Sequence, residues 1–212
     1  MKTMRDLVIL GGGVHSAEMV EIVERINRVE PTWNLLGYLT PHEEQIGTSR
    51  NGYPVLGRAE ALDAYPDACL VADNEWPRSI PAHQERLVSL VDPSAVVSRT
   101  ARIGAGCVLY PHCFVGLNAR IGDMVFCLSG SIINHDDVIG DRVVIASGVT
   151  LAGSVVVEEG CYLGQSCTVR QHVRIGQGSL IGMGAVVVKE VAAGSVIVGN
   201  PGRRLRGNGN GG

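Results

Sequence analysis

The sequence predicts an α/β half-Rossmann unit followed by a long parallel β-helix built of hexapeptide repeats. Three observations carry this expectation. An aliphatic residue recurs every six positions from Val91 to Val187. The residue two before each is nearly always small or β-branched. The first forty residues read as strand, glycine-rich turn, amphipathic helix and strand.

In the N-terminal unit, residues 6–10 (DLVIL) form a short apolar strand, and Gly11–Ser16 (GGGVHS) form the turn. Met19, Val20, Val23, Ile26 and Val29 then line one side of a helix that Pro31 ends. Residues 35–39 and 69–72 are the next strands, and residues 87–91 lead into the repeat. This is the opening of a nucleotide-binding α/β unit. The glycine fingerprint is incomplete, because Ser16 stands at the third glycine and Thr40-Pro41 follow strand two where an acid is expected. Part of a substrate held at the helix N-terminus fits this pattern better than a dinucleotide.

The repeat follows from one inward side chain per six residues, stacked on copies in neighbouring coils. Of seventeen aliphatic sites, sixteen are filled by aliphatics and one by Cys127. The small sites begin Ala95, Ala101, Cys107, Cys113, and Asp137 is the one charge among them. Glycine often follows the aliphatic site, as at Gly104, Gly116 and Gly140, and is expected to permit the turn. Five of the six cysteines fall on inward sites and read as small hydrophobes. No C-x-x-C occurs, so a zinc site is not expected. The expected boundaries are 1–90 for the α/β acceptor-binding domain, 91–206 for the β-helix and 207–212 for a flexible tail.

Composition narrows the function. Of 212 residues, 45% are hydrophobic and 18% charged, which excludes global disorder. A formal charge of −3 gives no electrostatic footprint for nucleic acid. No apolar run approaches the roughly 18 residues of a membrane span. The N-terminal apolar stretch is too short for a secretory signal. A cytoplasmic location is the expectation.

The conspicuous polar cluster in the prism is Asn134-His135-Asp136-Asp137. His135 lies two residues beyond an inward isoleucine, beside two carboxylates, as a general base would. His112 and His172 are the other prism histidines, and none pair at metal spacing, so no metal is expected. Ser147, Gln165 and Met183 differ by 18 and should stack in one column on an edge, a track for an extended pantetheine arm. Lys189, Arg203, Arg204 and Arg206 follow as cations for its phosphates, or as a solubilising tail.

GGGVHSAEMVEI, VADN, VDPSAVVS, NHDDVIGD and VGNPGRRL stand in the order found in bacterial sugar acetyltransferases. Over roughly residues 5–206 the chain resembles the sialic-acid, bacillosamine and perosamine acetyltransferase group of the hexapeptide family. The resemblance implies a left-handed β-helix, a homotrimer, acetyl-CoA as co-substrate and an amino sugar, most often nucleotide-linked, as acceptor. It implies His135 as general base with Asp136 beside it, and Gly153 near the thioester. It implies Gly13, His15, Asp73 and Asn74 around the acceptor, with Thr40 at the position where many relatives carry acids. Two alternatives stay open: acylation of a non-nucleotide amine or hydroxyl, and a non-catalytic β-helix scaffold.

Overall fold

The computed structural model describes residues 3–74, 76 and 83–205. Arg206 and the expected tail 207–212 lie outside the described residues.

The N-terminal unit is a five-stranded sheet with one long helix. Strand β1 (Arg5–Leu10) is central. It pairs in parallel with β2 (Trp33–Leu39) and β5 (Cys69–Ala72). Helix α1 (Val14–Val29) crosses between β1 and β2, burying Met19, Val20, Ile22 and Val23. Two further strands, β3 (Ser49–Arg50) and β4 (Tyr53–Gly57), form a hairpin that extends the sheet from β2. Its turn is Asn51-Gly52, both with positive φ, as a two-residue hairpin requires.

The rest of the chain is the left-handed prism. Its strands are nearly all two residues long and stack into three flat parallel sheets. The first face starts at Leu90–Val91, the second at Val96–Val97 and the third at Arg102–Ile103. The registers Phe114↔Ile132, Arg120↔Val138 and Phe126↔Val144 each advance 18 residues, so three hexapeptides make one coil. Inward aliphatics such as Leu109, Ile133, Ile145, Leu163 and Val169 are almost fully buried. Each contributes about 1.5–3 kcal/mol by leaving water.

The turn device differs from the sequence expectation. Every sixth residue from 106 to 184 has positive φ, including His112, Asn118, Met124, Asp136, Arg142, Ser154, Ser166 and His172. These left-handed residues stand three before the inward aliphatic, whereas the glycines after the aliphatic do not have positive φ. Those glycines answer a different constraint, close approach between coils. A Cβ on Gly116 would stand 2.7 Å from the backbone of Asn134 and His135, and one on Gly140 would stand 2.6 Å from Glu159 N.

The prism runs past Val187, but its last coil is two residues short: Ile175 bridges Val191 and Ile181 pairs with Ile197, steps of 16 rather than 18. An antiparallel strand, Arg203–Arg204, then closes this end. The N-terminal unit covers the first face, where Leu90, Val108, Phe126 and Val144 are buried. The Arg25–Asp92 ion pair, 2.5 Å, pins α1 to the first coil. The outward residues of the second face are Val96, Phe114, Ile132, Thr150, Thr168 and Val186, without one charge. No helix among the described residues is long and apolar enough to cross a membrane.

All six cysteines are free and buried. Burial pushes the Cys107 thiol up to about 11 and that of Cys167 to about 12, and raises those of Cys113, Cys127 and Cys161. The thiolate is the reactive form, so these five should alkylate slowly in the native protein. Mass spectrometry after mild alkylation checks this, and fast labelling at any of the five contradicts it.

Candidate active site

The prism has three edges, and each candidate residue belongs to one of them. His135 lies on the second edge, in the turn between Ile132–Ile133 on the second face and Val138–Ile139 on the third. Stepping by 18 along this edge gives Arg99, Leu117, His135, Gly153, Gln171 and Lys189. The next column is Thr100, Asn118, Asp136, Ser154, His172 and Glu190.

The imidazole is held on two sides. Its Nδ1 lies 2.9 Å from Asp136 Oδ2. Asp136 is in turn held by Asn118 Nδ2, which donates to its Oδ1 at 3.1 Å. Both bonds favour the carboxylate, with that to His135 the larger, and hold the Asp136 carboxyl below its ordinary value of 3.8. Nδ1 thus carries the proton that faces the carboxylate, which leaves Nε2, on the Gly153 side, as the acceptor nitrogen. The imidazole lies over Gly153, one coil on. A Cβ there would stand 2.4 Å from both Cε1 and Nε2, so only glycine leaves the ring its position. The side chain of His135 is about half exposed, at 53%.

Asp137 does different work. It is fully buried at a small inward site, where Oδ2 accepts the Asn134 N–H at 2.7 Å and Oδ1 accepts the Val155 N–H at 2.8 Å. Burial outweighs those bonds and raises its pKa to about 7. It stitches two coils together beneath the histidine and does not touch the ring.

Ser147, Gln165 and Met183 do form one column, with Gln165 and Met183 exposed and Ser147 half-buried. Ser166 N–H donates to Ser147 O and Gly184 N–H to Gln165 O, each about one coil apart. The column stands on the first edge, however, across the whole second face from His135. Lys189, Arg203 and Arg204 come together around one hollow of about 530 Å³ at the C-terminal end. Lys189 is in the His135 column, three coils on, or about 14 Å along the axis.

The N-terminal candidates divide between two edges: His15 lies towards the first, beside Tyr110 and Phe126, whereas Asp73 and Asn74 lie by the third, beside the corner residues Met124 and Arg142. His15 packs its ring edge-on to Phe126, centroids 5.5 Å apart, and Nδ1 lies 3.2 Å from Glu18. Gly13 is the N-cap of α1, and its carbonyl accepts Ser16 Oγ–H. Asp73 is buried, accepting Ser16 Oγ–H and the Trp76 N–H. Asn74 Oδ1 is buried and accepts no hydrogen bond among the described residues. Asn74, Trp76, Met124, Arg142 and Val144 surround a small recess between unit and prism. Thr40 is fully buried and donates to Gln45 Oε1 at 2.9 Å. The glycine turn is filled by this chain itself. A Cβ on Gly11 would meet the Asp73 carboxylate, and one on Gly12 would meet Thr40, His42 and Gln45. Arg50 donates to the Gly12 carbonyl.

Sequence reasoning missed Asn118 and Arg99. Both are found by stepping back 18 residues from Asp136 and 36 from His135. It also missed the β3–β4 hairpin, whose signal was Asn51-Gly52 between apolar runs. Among the described residues no group of three or more His, Cys, Asp or Glu side chains is arranged to hold a metal ion.

No family model and no curated protein sequence matches the chain. Solved structures do. The acetyltransferase domain of PglB from Neisseria gonorrhoeae FA1090, in complex with acetyl coenzyme A, is 26% identical with TM-score 0.81, over 96% of this chain and 100% of that one. WeeI from Acinetobacter baumannii AYE is 26% identical with TM-score 0.80, over 94% of this chain and 100% of that one. A histidine-to-alanine mutant of GDP-perosamine N-acetyl transferase from Caulobacter crescentus, in complex with CoA and GDP-perosamine, shares the fold at 22% identity, TM-score 0.81, over 97% and 99% of the two chains.

The Asp137 geometry makes a pH prediction. The unfolded carboxyl ionises near 3.8 while the folded one holds its proton to about 7. The folded state therefore binds more protons across that window, and stability falls as pH rises through it. In Asp137→Asn this part of the fall should vanish, so melting temperature measured between pH 5 and 7.5 should show a flatter slope than wild type. Equal slopes contradict a buried, protonatable Asp137.

Proposed function

We propose that this chain, an acyltransferase of the hexapeptide-repeat, left-handed β-helix class, transfers an acetyl group from acetyl-CoA to an amino sugar linked to a nucleotide. The observation that carries the reading is the half-exposed imidazole of His135, fixed by Asp136 on one nitrogen and seated over Gly153, with no hydrogen-bond partner for the other nitrogen among the described residues. The similarity to an acetyltransferase domain bound to acetyl coenzyme A and to a GDP-perosamine N-acetyltransferase supports the donor and the acceptor class.

In this mechanism the acceptor amine attacks the thioester carbonyl. His135 Nε2 takes the amine proton as the C–N bond forms. The Asp136 carboxylate, steadied by Asn118, stabilises the resulting imidazolium. The Gly153 N–H, which makes no backbone hydrogen bond among the described residues, is the candidate donor to the oxyanion. The CoA thiolate leaves and is protonated by the imidazolium. Thioesters need no further activation, so the pathway runs without a metal.

The placement of the candidates on two edges supports a site shared between copies. His135, Gly153 and Lys189 stand on the second edge. The Ser147, Gln165 and Met183 column stands on the first, as does the His15 side of the N-terminal unit. A single prism cannot bring these together, so the site forms where the second edge of one copy meets the first edge of the next. Such head-to-tail contacts close as rings, and a homotrimer suits a three-sided prism. The uncharged second face supports this packing. The pantetheine arm then runs between copies towards Lys189, Arg203 and Arg204.

One observation favours a second acceptor class. Thr40 is buried rather than presented, and the glycine turn is filled by Asp73, Thr40, His42 and Gln45. An amine or hydroxyl acceptor lacking a nucleotide needs no room there.

Thiol release from acetyl-CoA, measured against a panel of nucleotide-linked and free amino sugars, separates the two acceptors. Turnover confined to free sugars selects the second. His135→Ala should lower kcat by about 10²–10⁴-fold with the fold retained, since general base catalysis commonly supplies that much. A variant keeping more than about a third of wild-type kcat would falsify His135 as the base. Gly153→Ala should lower kcat about a hundredfold by displacing the ring, because misplacement by about 1 Å costs that order. Light scattering should give three copies, and a fully active monomer excludes the shared site.

A further inference from the structure

An open hollow of about 800 Å³ on the third face begins where the His135–Asp136 pair ends. Arg99, Thr100, Arg102, Asn118, Arg120 and Asp136 surround its polar part. Two properties of its arginines bear on the ligand it suits.

First, none of Arg99, Arg102 and Arg120 makes a side-chain hydrogen bond or an ion pair among the described residues. Other arginines of the chain are neutralised: Arg25 by Asp92, Arg142 by Glu159 and Arg174 by Glu158. Second, Arg102 and Arg120 are directly paired in adjacent rungs of one parallel ladder. Like charges set opposite one another in a sheet repel and destabilise it. No carboxylate among the described residues relieves the pair. The rim carboxylate, Asp136, is already engaged by His135 and Asn118. Planar guanidinium forks with every donor unspent suit one ligand chemistry, the oxygens of a phosphate ester or diphosphate.

We propose that this hollow binds the diphosphate of the acyl acceptor. This rests on the acetyl-transfer reading above and supplies what that reading lacks. At the glycine turn, the usual cradle of a phosphate at a helix N-terminus, Asp73, Thr40, His42 and Gln45 crowd Gly11 and Gly12 and Arg50 is spent on the Gly12 carbonyl, so a cationic seat elsewhere would serve the acceptor's charge. Position along the edge assigns the ligand to the acceptor rather than to CoA. Arg99 stands two coils before His135 and Lys189 three coils after it, about 10 and 14 Å away in opposite directions. The Lys189, Arg203 and Arg204 hollow takes one set of phosphates, and the arginine hollow takes the other. The acetyl group moves between them at His135.

The test uses the intact oligomer and two independent readouts. Inorganic pyrophosphate binding is measured by calorimetry for wild type, for the double variant Arg102→Gln/Arg120→Gln, and for Arg120→Lys. All three side chains are exposed, so folding is not at stake. The double variant should weaken binding about 10–100-fold, and Arg120→Lys less, since lysine keeps the charge but loses the fork. Binding that is absent in wild type, or equal in the double variant, overturns the site, whatever the enzyme turns over. In steady-state kinetics the double variant should raise KM for a nucleotide-linked amino sugar about tenfold or more while KM for acetyl-CoA moves less than about twofold. A rise in KM for acetyl-CoA alone overturns the assignment to the acceptor. Failure of wild type to use any nucleotide-linked amino sugar overturns that assignment together with the acceptor reading, while the pyrophosphate measurement still decides the anion site.

Discussion

The structure depends on one constraint, the 18-residue register that stacks every side chain on its equivalent in the next coil. Backbone hydrogen bonds run from coil to coil at every strand and continue through the corners, where Asp136 N–H meets Leu117 O and Ser154 N–H meets His135 O. Because the ladder is unbroken from Val91 to Val187, each column is a straight line of positions. A column can hold an inward aliphatic, a left-handed corner residue or a functional side chain, and its role repeats until the sequence departs from it. Close approach of the coils fixes glycine at positions such as Gly116 and Gly140, where any Cβ would strike the neighbouring backbone.

The chemistry sits where the pattern is broken. Asp137 puts a carboxyl into a small inward site, and two backbone N–H groups hold it there. Asp136 uses the left-handed corner conformation that Asn and Asp tolerate best, φ 60°, and so stands beside the His135 ring. Gly153 leaves a gap one coil on that the imidazole fills. These three departures lie within one turn and one rung. Each is tied to the same ladder, so the ring is oriented by the prism's most regular feature rather than by a loop.

The same linear order separates charges. The second edge runs from Arg99, beside Arg102 and Arg120 of the third face, past the histidine, to a cationic hollow at the closed end. An extended anionic ligand on either side of His135 would meet positive charge at its far end and a neutral edge near the reacting atoms. The N-terminal unit adds an apolar seat on the first face and little free cationic surface near its glycine turn, where Arg50 is spent on the Gly12 carbonyl.

The repeat was legible in the sequence because one residue in six is buried and each buried site tolerates few side chains. Period six, the inward cysteines, the α1 helix and the anomaly at Asn134–Asp137 all follow from that local rule. Asn51-Gly52 carried the hairpin in the same way. Distances between columns were not legible. Ser147 and His135 share a period, and only the closing of the prism shows that twelve residues put them on different edges. Sequence reasoning favoured Asp136 over Asp137 as partner of the imidazole, from the resemblance, and the structure supplies the physical reason. The left-handed corner turns the first towards Nδ1 and the inward strand turns the second into the core. The glycine turn read as open because its filling comes from Asp73, Thr40 and Gln45, residues up to 62 positions away. What lies within one hexapeptide is written in side-chain volume and polarity. What lies between coils, edges and domains depends on where the chain's closure brings those side chains, which local preferences do not encode.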